Sequence, residues 1–201
     1  MNILFSSRIP RTVSILLSGS SLALSGLIMQ QMMQNKFVSP TTAGTMEWAK
    51  LGILLSLLFF PNGHILIKLL FAVVLSIVGT FLFVQLINLI RAKDVIFVPL
   101  LGIMIGGILS SFTTFIALRT NALQSIGNWL TGNFAVITSG RFEVLYLTIP
   151  LLILAFVFAN HFTIAGMGKD FSHNLGVSYE KIIKIALFIT ATLTALVVVT
   201  V

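Results

Sequence analysis

The sequence contains no cysteine. Disulfides, thiolate metal sites and thiol nucleophiles are therefore excluded. Charge is scarce as well. Asp, Glu, Lys and Arg make up 8% of the 201 residues, against about 25% in soluble globular domains. So little charge cannot cover a globule with polar surface. Acidic residues are the rarest, five against 12 Lys and Arg, giving a formal charge of +7. In a soluble protein that excess would point to nucleic acid. Between apolar segments it is what topogenesis and anionic headgroups favour, so no nucleic-acid partner is expected.

Catalytic signatures are missing too. There is no HExxH, no buried pair of aspartates and no Ser–Lys or Ser–His arrangement with motif support. His64, His161 and His173 are too scattered to identify a metal site, and Glu47, Asp94, Glu143, Asp170 and Glu180 read as span-end residues. Without a GxxxxGKS loop, any nucleotide chemistry must lie on another polypeptide. No intrinsic enzymatic activity, metal or cofactor is expected. Strand-type alternation and low-complexity tracts are likewise not found.

What the chain has is apolar length. It is 57% hydrophobic, and six hydrophobic segments fall at roughly 12–33, 46–60, 64–90, 95–118, 142–160 and 179–201. Several approach or exceed the roughly 20 residues that cross a bilayer. The expected fold class is all-α, a polytopic transmembrane helix bundle. The breaks carry turn chemistry: "NKFVSPTTAG", "PNG", "RAKD", "RTNALQSIGNWLTGN" and "HFTIAGMGKDFSHNLGVS". Arg8 and Arg11 followed by "VSILL" and "SLALSG" imitate a secretory signal, but the apolar run continues through "LIMQQMM". The second segment is short, with Glu47 and Lys50 in its first turn, which leaves it tilted or only partly inserted.

Basic residues set an orientation. With the N-terminus outside, Lys36, Lys50, Arg91, Lys93, Lys169, Lys181 and Lys184 fall inside, and Arg8, Arg11, Lys68, Arg119 and Arg141 outside. Seven against five is a small bias, but the inside set clusters at 91–93 and 169–184. Arg8 and Arg11 then stand on the side the rule disfavours, which asks for a reason other than topogenesis. Ser14 and Ser18, and Gly19 and Gly26, have spacings that let helix backbones approach closely. In the fourth segment Gly106, Ser110, Thr113 and Thr114 share a face. That face either lines an aqueous path or packs tightly with its hydroxyls bonded back to the helix; spacing alone favours packing.

The stretch "RIPRTVSILLSGSSLALSGLIMQQMMQNKFVSPTTAG" closely resembles a signature of the permease subunits of ABC importers for iron–siderophore complexes, haem and cobalamin. That pattern is Arg-x-Pro-Arg, an apolar stretch with Gly, Ser-Gly-x-x-x-Gln, then Asn-Pro-Leu-Ala-x-Pro and a Gly. Arg8, Pro10, Arg11, Gly19, Ser25, Gly26, Gln30, Asn35, Pro40 and Gly44 stand at matching spacings, whereas Lys36, Phe37 and Val38 replace Pro-Leu-Ala. The variant "NKFVSPTTAGT" is similar to the branch handling ferric catecholate siderophores. "LLGIMIGGILSSF" with "GNWLTGNF" resembles the family's fifth helix and short periplasmic helix. "AGMGKDFSHNLGVSYEK" resembles its cytoplasmic loop, with Gly168, Leu175, Gly176 and Val177 matching and Met167 in place of a Leu.

The resemblance implies one transmembrane permease domain over 1–201. It would hold about six spans, the second to seventh, of a normally ten-helix subunit, without the first helix and the last three. It implies a multi-pass protein of the cytoplasmic (inner) membrane that moves ferric siderophore without ATPase chemistry of its own. Its implied partners are ATP-binding subunits, a periplasmic or lipoprotein substrate-binding protein and a second permease subunit. Arg8 and Arg11 would receive acidic residues of the binding protein, as suits a guanidinium fork. Gly168, Lys169, Asp170, Leu175, Gly176 and Val177 would belong to a coupling helix seated in the ATPase, with about two turns over Lys169 to Leu175. Met29, Gln30, Met32, Met33, Ser110 and Thr114 are compatible with a weakly polar path, although Met in a helix is more often core filler. An ion-coupled secondary transporter is the alternative. It usually buries an ionisable residue in mid-membrane, and only Lys68 comes near. A non-transporting scaffold would leave the loop motif unexplained.

Overall fold

The computed structural model describes residues 4–89, 96–123, 127, 132–138, 140 and 142–201. Arg91, Lys93, Asp94, Trp129 and Arg141 lie outside the described residues. The described part is helical, with no strand. A π-helical turn at Leu4–Arg8 leads into α1 (Ile9–Met33), followed by α2 (Thr45–Phe59), α3 (Ile65–Leu89) and α4 (Phe97–Arg119). Short 3-10 turns at Phe134–Val136 and Phe142–Leu147 precede α5 (Thr148–Val157), α6 (Ala159–Gly166), α7 (Lys169–Asn174) and α8 (Tyr179–Thr200). Among the described residues four helices are long and apolar enough to cross a membrane, namely Leu4–Met33, α3, α4 and α8, or five when the bent pair Phe142–Val157 with Ala159–Gly166 is counted as one span.

Two sets of contacts define the ends of the bundle. At one end Arg11 Nη2 donates to the Ala135 carbonyl at 3.1 Å, and Asn133 N–H donates to the Val201 carbonyl at 2.8 Å. The start of α1, the 133–135 loop and the end of α8 therefore meet there. At the other end Gln34 Nε2 donates to the Gly166 carbonyl at 2.9 Å, tying the exit of α1 to the end of α6. We call these the arginine end and the α7 end.

The central helix is α8: 72% of its apolar window is buried, against 22% for α3 and α4. Its neighbours are α1, α3, α2, α5 and α6. Ala186, Ala191, Ala195, Thr190 and Thr194 keep its surface thin enough for several helices to pack on it. On α1, Ser14, Ser18, Ser21 and Ser25 continue one buried stripe into Ile28 and Met32, which pack against Ala186, Ile189 and Leu193 of α8. Ser76 Oγ of α3 donates to the Ala191 carbonyl at 3.0 Å, a polar tie inside the bundle. On the outside of the bundle, α4 packs on α2, and a side chain at Gly102 would overlap the Thr42 carbonyl.

The structure corrects two expectations. The fifth span does not end near residue 160. It breaks at Phe158, bends by 56° and continues as helix to Gly166, so residues 161–166 are helix rather than loop. The second correction concerns depth. Glu47 and Lys50 are not at a span end. Trp48 lies where a side chain on Gly79 would stand, and Gly52 abuts Phe71 and Ala72. These contacts bracket Ile77, the midpoint of α3. From the other side, a Cβ on Gly106, close to the middle of α4, would stand 3.7 Å from Glu47 Cγ. The first turn of α2 therefore sits halfway along the bundle.

The cause is the 34–44 segment, which folds inward before α2 starts. Val38 and Ala43 are buried against Met29, Phe83 and Val98. Thr42 Oγ1 accepts from Ser39 N–H at 2.7 Å, and Ser39 Oγ accepts from Thr42 N–H at 3.2 Å, so side-chain hydroxyls satisfy backbone groups that lipid could not. Thr45 Oγ1 meets Thr80 Oγ1 at 3.0 Å, locking the start of α2 to α3.

Candidate functional site

At the α7 end, α7 is a six-residue helix, about 9 Å long at 1.5 Å per residue. Gly168 (φ +109°) and Gly176 (φ +73°) bound it in backbone conformations that a side chain would strain, and these make the two turns. Ser172 is fully buried; its Oγ donates to the Gly168 carbonyl at 2.8 Å and to that of Ile164 at 3.2 Å. The chain then turns through Gly176 N–H on the His173 carbonyl (3.0 Å) and Val177 N–H on the Ser172 carbonyl (2.9 Å). Val177 packs on the core cluster of α1, α6 and α8. The element is thus short, stiff and fastened to two spans.

Its free side is apolar. Met167, Phe171 and Leu175 recur every four residues and are 57%, 52% and 55% exposed. Lys169 and Asp170 flank them in the open, and the Lys169–Glu180 pair at 3.4 Å is so exposed that it adds little stability. Gly168, Lys169, Asp170, Leu175, Gly176 and Val177 are therefore one contiguous device. Sequence reasoning did not single out Phe171 and took Met167 only as a replacement for a Leu; the signal of the ridge was a four-residue apolar period inside an otherwise polar segment.

At the arginine end, Arg8 is exposed, whereas Arg11 is half-buried and already engaged with the Ala135 carbonyl. Among the described residues, Arg11 Nε has no hydrogen-bond partner. The two arginines stand on one turn of helix, with Arg8 exposed and Arg11 holding the 133–135 loop against α1.

The path residues are dispersed. Met29 is 1% exposed and packs with Met33 on Val38, Phe83 and Val98, whereas Met32 belongs to the α8 cluster. Gln30 is half-buried near the end of α1, and Ser110 and Thr114 are half-buried on α4. Thr113 Oγ1 donates to the Leu109 carbonyl and Thr114 Oγ1 to the Ser110 carbonyl, both at 2.8 Å. These hydroxyls are bonded back into their own helix. Among the described residues, no three His, Asp or Glu side chains gather as a metal site.

A helix bundle with an inward-folded loop and a short exposed helix clamped between two apolar helices is the architecture of a polytopic membrane protein. The FecCD transport family matches residues 1–201, and the chain belongs to that family. It is 52% identical over 198 residues to the petrobactin import system permease protein YclN of Bacillus subtilis, covering 98% of this chain and 63% of that protein. It is 36% identical to the ferric-anguibactin transport system permease protein FatD of Vibrio anguillarum, again over 98% of this chain and 63% of the relative. The chain thus spans less than two thirds of the length of these relatives. In fold it is similar to a metal-chelate type ABC transporter solved in an inward-facing conformation, with a TM-score of 0.75 at 22% identity over 98% of this chain and 64% of that one. This is a multi-pass protein of the inner membrane.

Proposed function

We propose that the chain, as one transmembrane domain, forms the wall of an ABC importer that carries a ferric siderophore across the cytoplasmic membrane, without catalysing a reaction itself. Two relatives named for petrobactin and ferric-anguibactin support that substrate class. The observation that carries the reading is the apolar ridge on α7, offered at the end of the bundle by an element too short to deform. ATP-binding subunits closing on that ridge would pull α6 and α8 together and rock the bundle between its two open states, a rigid-body transition. A second permease subunit completes the path. The half-buried pair of Glu47 and Lys50 at mid-depth is a feature that ion coupling could also use, so the choice rests on α7 and on family membership.

The α7 end is then cytoplasmic. Lys36, Lys169, Lys181 and Lys184 stand there, although Lys50, at mid-depth, no longer counts towards that bias. The test is direct because the chain has no cysteine. Single cysteines across residues 168–177 are expected to react with impermeant reagents only from the cytoplasmic face, and labelling from outside would end the importer reading.

The arginine end would receive the binding protein. Charge reversal at Arg8 and Arg11 together is expected to weaken docking about tenfold at low ionic strength and to flatten its salt dependence. Arg8→Glu alone should account for most of the loss, since Arg11 is partly engaged. Docking that stays salt-dependent and equally tight in the double variant would remove this site.

A further inference from the structure

The exit of α1 carries a side chain where glycine is the usual residue. Gln34 caps the helix at φ +50° and ψ +35°, in the left-handed region that a Cβ disfavours. Glycine or asparagine would close the helix with less strain. What Gln34 adds is its amide, whose Nε2 donates to the Gly166 carbonyl at 2.9 Å. The two backbones are close there. A Cβ on Gly166 would stand 2.5 Å from Gln31 Oε1 and 3.2 Å from the Gln31 carbonyl oxygen, and one on Gly168 would stand 3.5 Å from Gln34 Nε2. A strained residue whose side chain bridges two elements is a reason to look for function.

Both partners of this bond lead further. Gly166 ends α6, and α7 is fastened to α6 by Ser172 Oγ on the Ile164 carbonyl. On the other side, Asn35 N–H donates to the Gln30 carbonyl at 3.1 Å, and Asn35 Oδ1 accepts from Phe37 N–H at 2.9 Å. The turn after Gln34 is therefore stiff. It delivers Val38, fully buried, against Phe83 of α3 and Val98 at the start of α4. Helix α7 itself packs on α6 and α8. The Gln34 bond gives it a second line, through the 34–38 turn, to α3 and α4.

We infer that Gln34 is a positioning residue that passes the displacement of α7 to the 34–38 turn, and through Val38 to the ends of α3 and α4. Resting on the proposed docking of an ATP-binding subunit on α7, this role adds the joint that carries the motion beyond α6 and α8. Covalent continuity moves α6 and α8 with α7, whereas the amide brings the exit of α1 along. One hydrogen bond of ordinary net strength favours the joined state over the parted one by about tenfold.

The test uses the assembled transporter, with this cysteine-free chain spin-labelled at Lys36→Cys and Asn174→Cys, both exposed positions on either side of the joint. With Gln34 present, the label separation should be the same with and without bound ATP, because the turn and α7 travel together. Gln34→Gly relieves the backbone strain and deletes the amide. If Gln34 were only structural, that variant would be at least as stable and would transport normally. As a joint, its loss should leave thermal stability and co-purification of the ATP-binding subunit intact. Uptake per ATP hydrolysed should nevertheless fall about tenfold, and the label separation should shift when ATP binds. Gln34→Arg keeps a donor within reach of the carbonyl and should retain most of the uptake. A separation that already shifts with Gln34 present overturns the inference. So does a Gln34→Gly protein with full uptake per ATP, a fixed separation, lower thermal stability or no bound ATPase, and so does an equal loss in Gln34→Arg. Recovery of the ATPase by a chain carrying Phe171→Asp and Leu175→Asp would instead fault the role of α7 itself.

Discussion

Phe171→Asp combined with Leu175→Asp is expected to abolish co-purification of the ATP-binding subunit with the assembled permease and to stop uptake, while membrane insertion stays normal. Both side chains are more than half exposed and neither belongs to a core cluster of the chain, so their replacement costs the bundle little. At an interface the same two positions would form the centre of the contact. Removing an aromatic or aliphatic anchor from such a patch costs about 2 kcal/mol or more, and burying an unpaired carboxylate adds to that. Two such losses weaken binding by about a thousandfold. Ser172→Ala serves as the complementary variant. It should loosen α7 without touching the ridge and so reduce transport more than it reduces ATPase binding. Wild-type recovery of the ATPase by the double aspartate protein would take α7 out of the interface.

Gly79→Leu should fail at an earlier stage, in assembly of the bundle. The Trp48 ring occupies the space that a side chain at Gly79 would need, and the backbone behind it belongs to a helix that cannot yield locally. Overpacking of this kind typically costs 1–3 kcal/mol and occasionally more; with a whole isobutyl group to place, about 3 kcal/mol is expected. The mutation should also push the first turn of α2 away from α3, breaking the Thr45–Thr80 hydroxyl contact. Gly107→Leu, next in sequence to Gly106 but with none of the described residues within reach of a side chain, should be nearly neutral. Thermal aggregation of both variants in detergent provides the comparison. Equal midpoints would show that α2 does not lie against the middle of α3.

The resemblance carried by "RIPR", "SG", "SP" and "GMGKDFSHNLGV" was enough to place the chain in its family, and the family match runs over the whole chain. The short helix between Gly168 and Gly176 was legible because glycines mark its turns and its composition is too polar to span. Phe171 was not singled out, because an apolar residue in a loop is unremarkable until its exposure is known. The Arg8 and Arg11 pair was visible as chemistry, but only the folded chain distinguishes a free guanidinium from one that holds Ala135.

From its composition and runs alone, the sequence determined that this chain forms apolar helices, roughly where each begins, and which end carries the polar helix. Apolar length and turn residues are local properties, and lipid enforces them without reference to neighbours. The tertiary structure decided which helix is central, how deep α2 starts and what the charges face. The most apolar span, α3, is among the least buried, and α8 occupies the centre. Hydropathy cannot order them, because lipid and protein interior are equally apolar and only the fit of small residues distinguishes them. The depth of Glu47 and Lys50 was hidden for a related reason. Eleven residues of loop read as an exit from the membrane, whereas hydroxyl contacts and a buried Val38 turn them back into it.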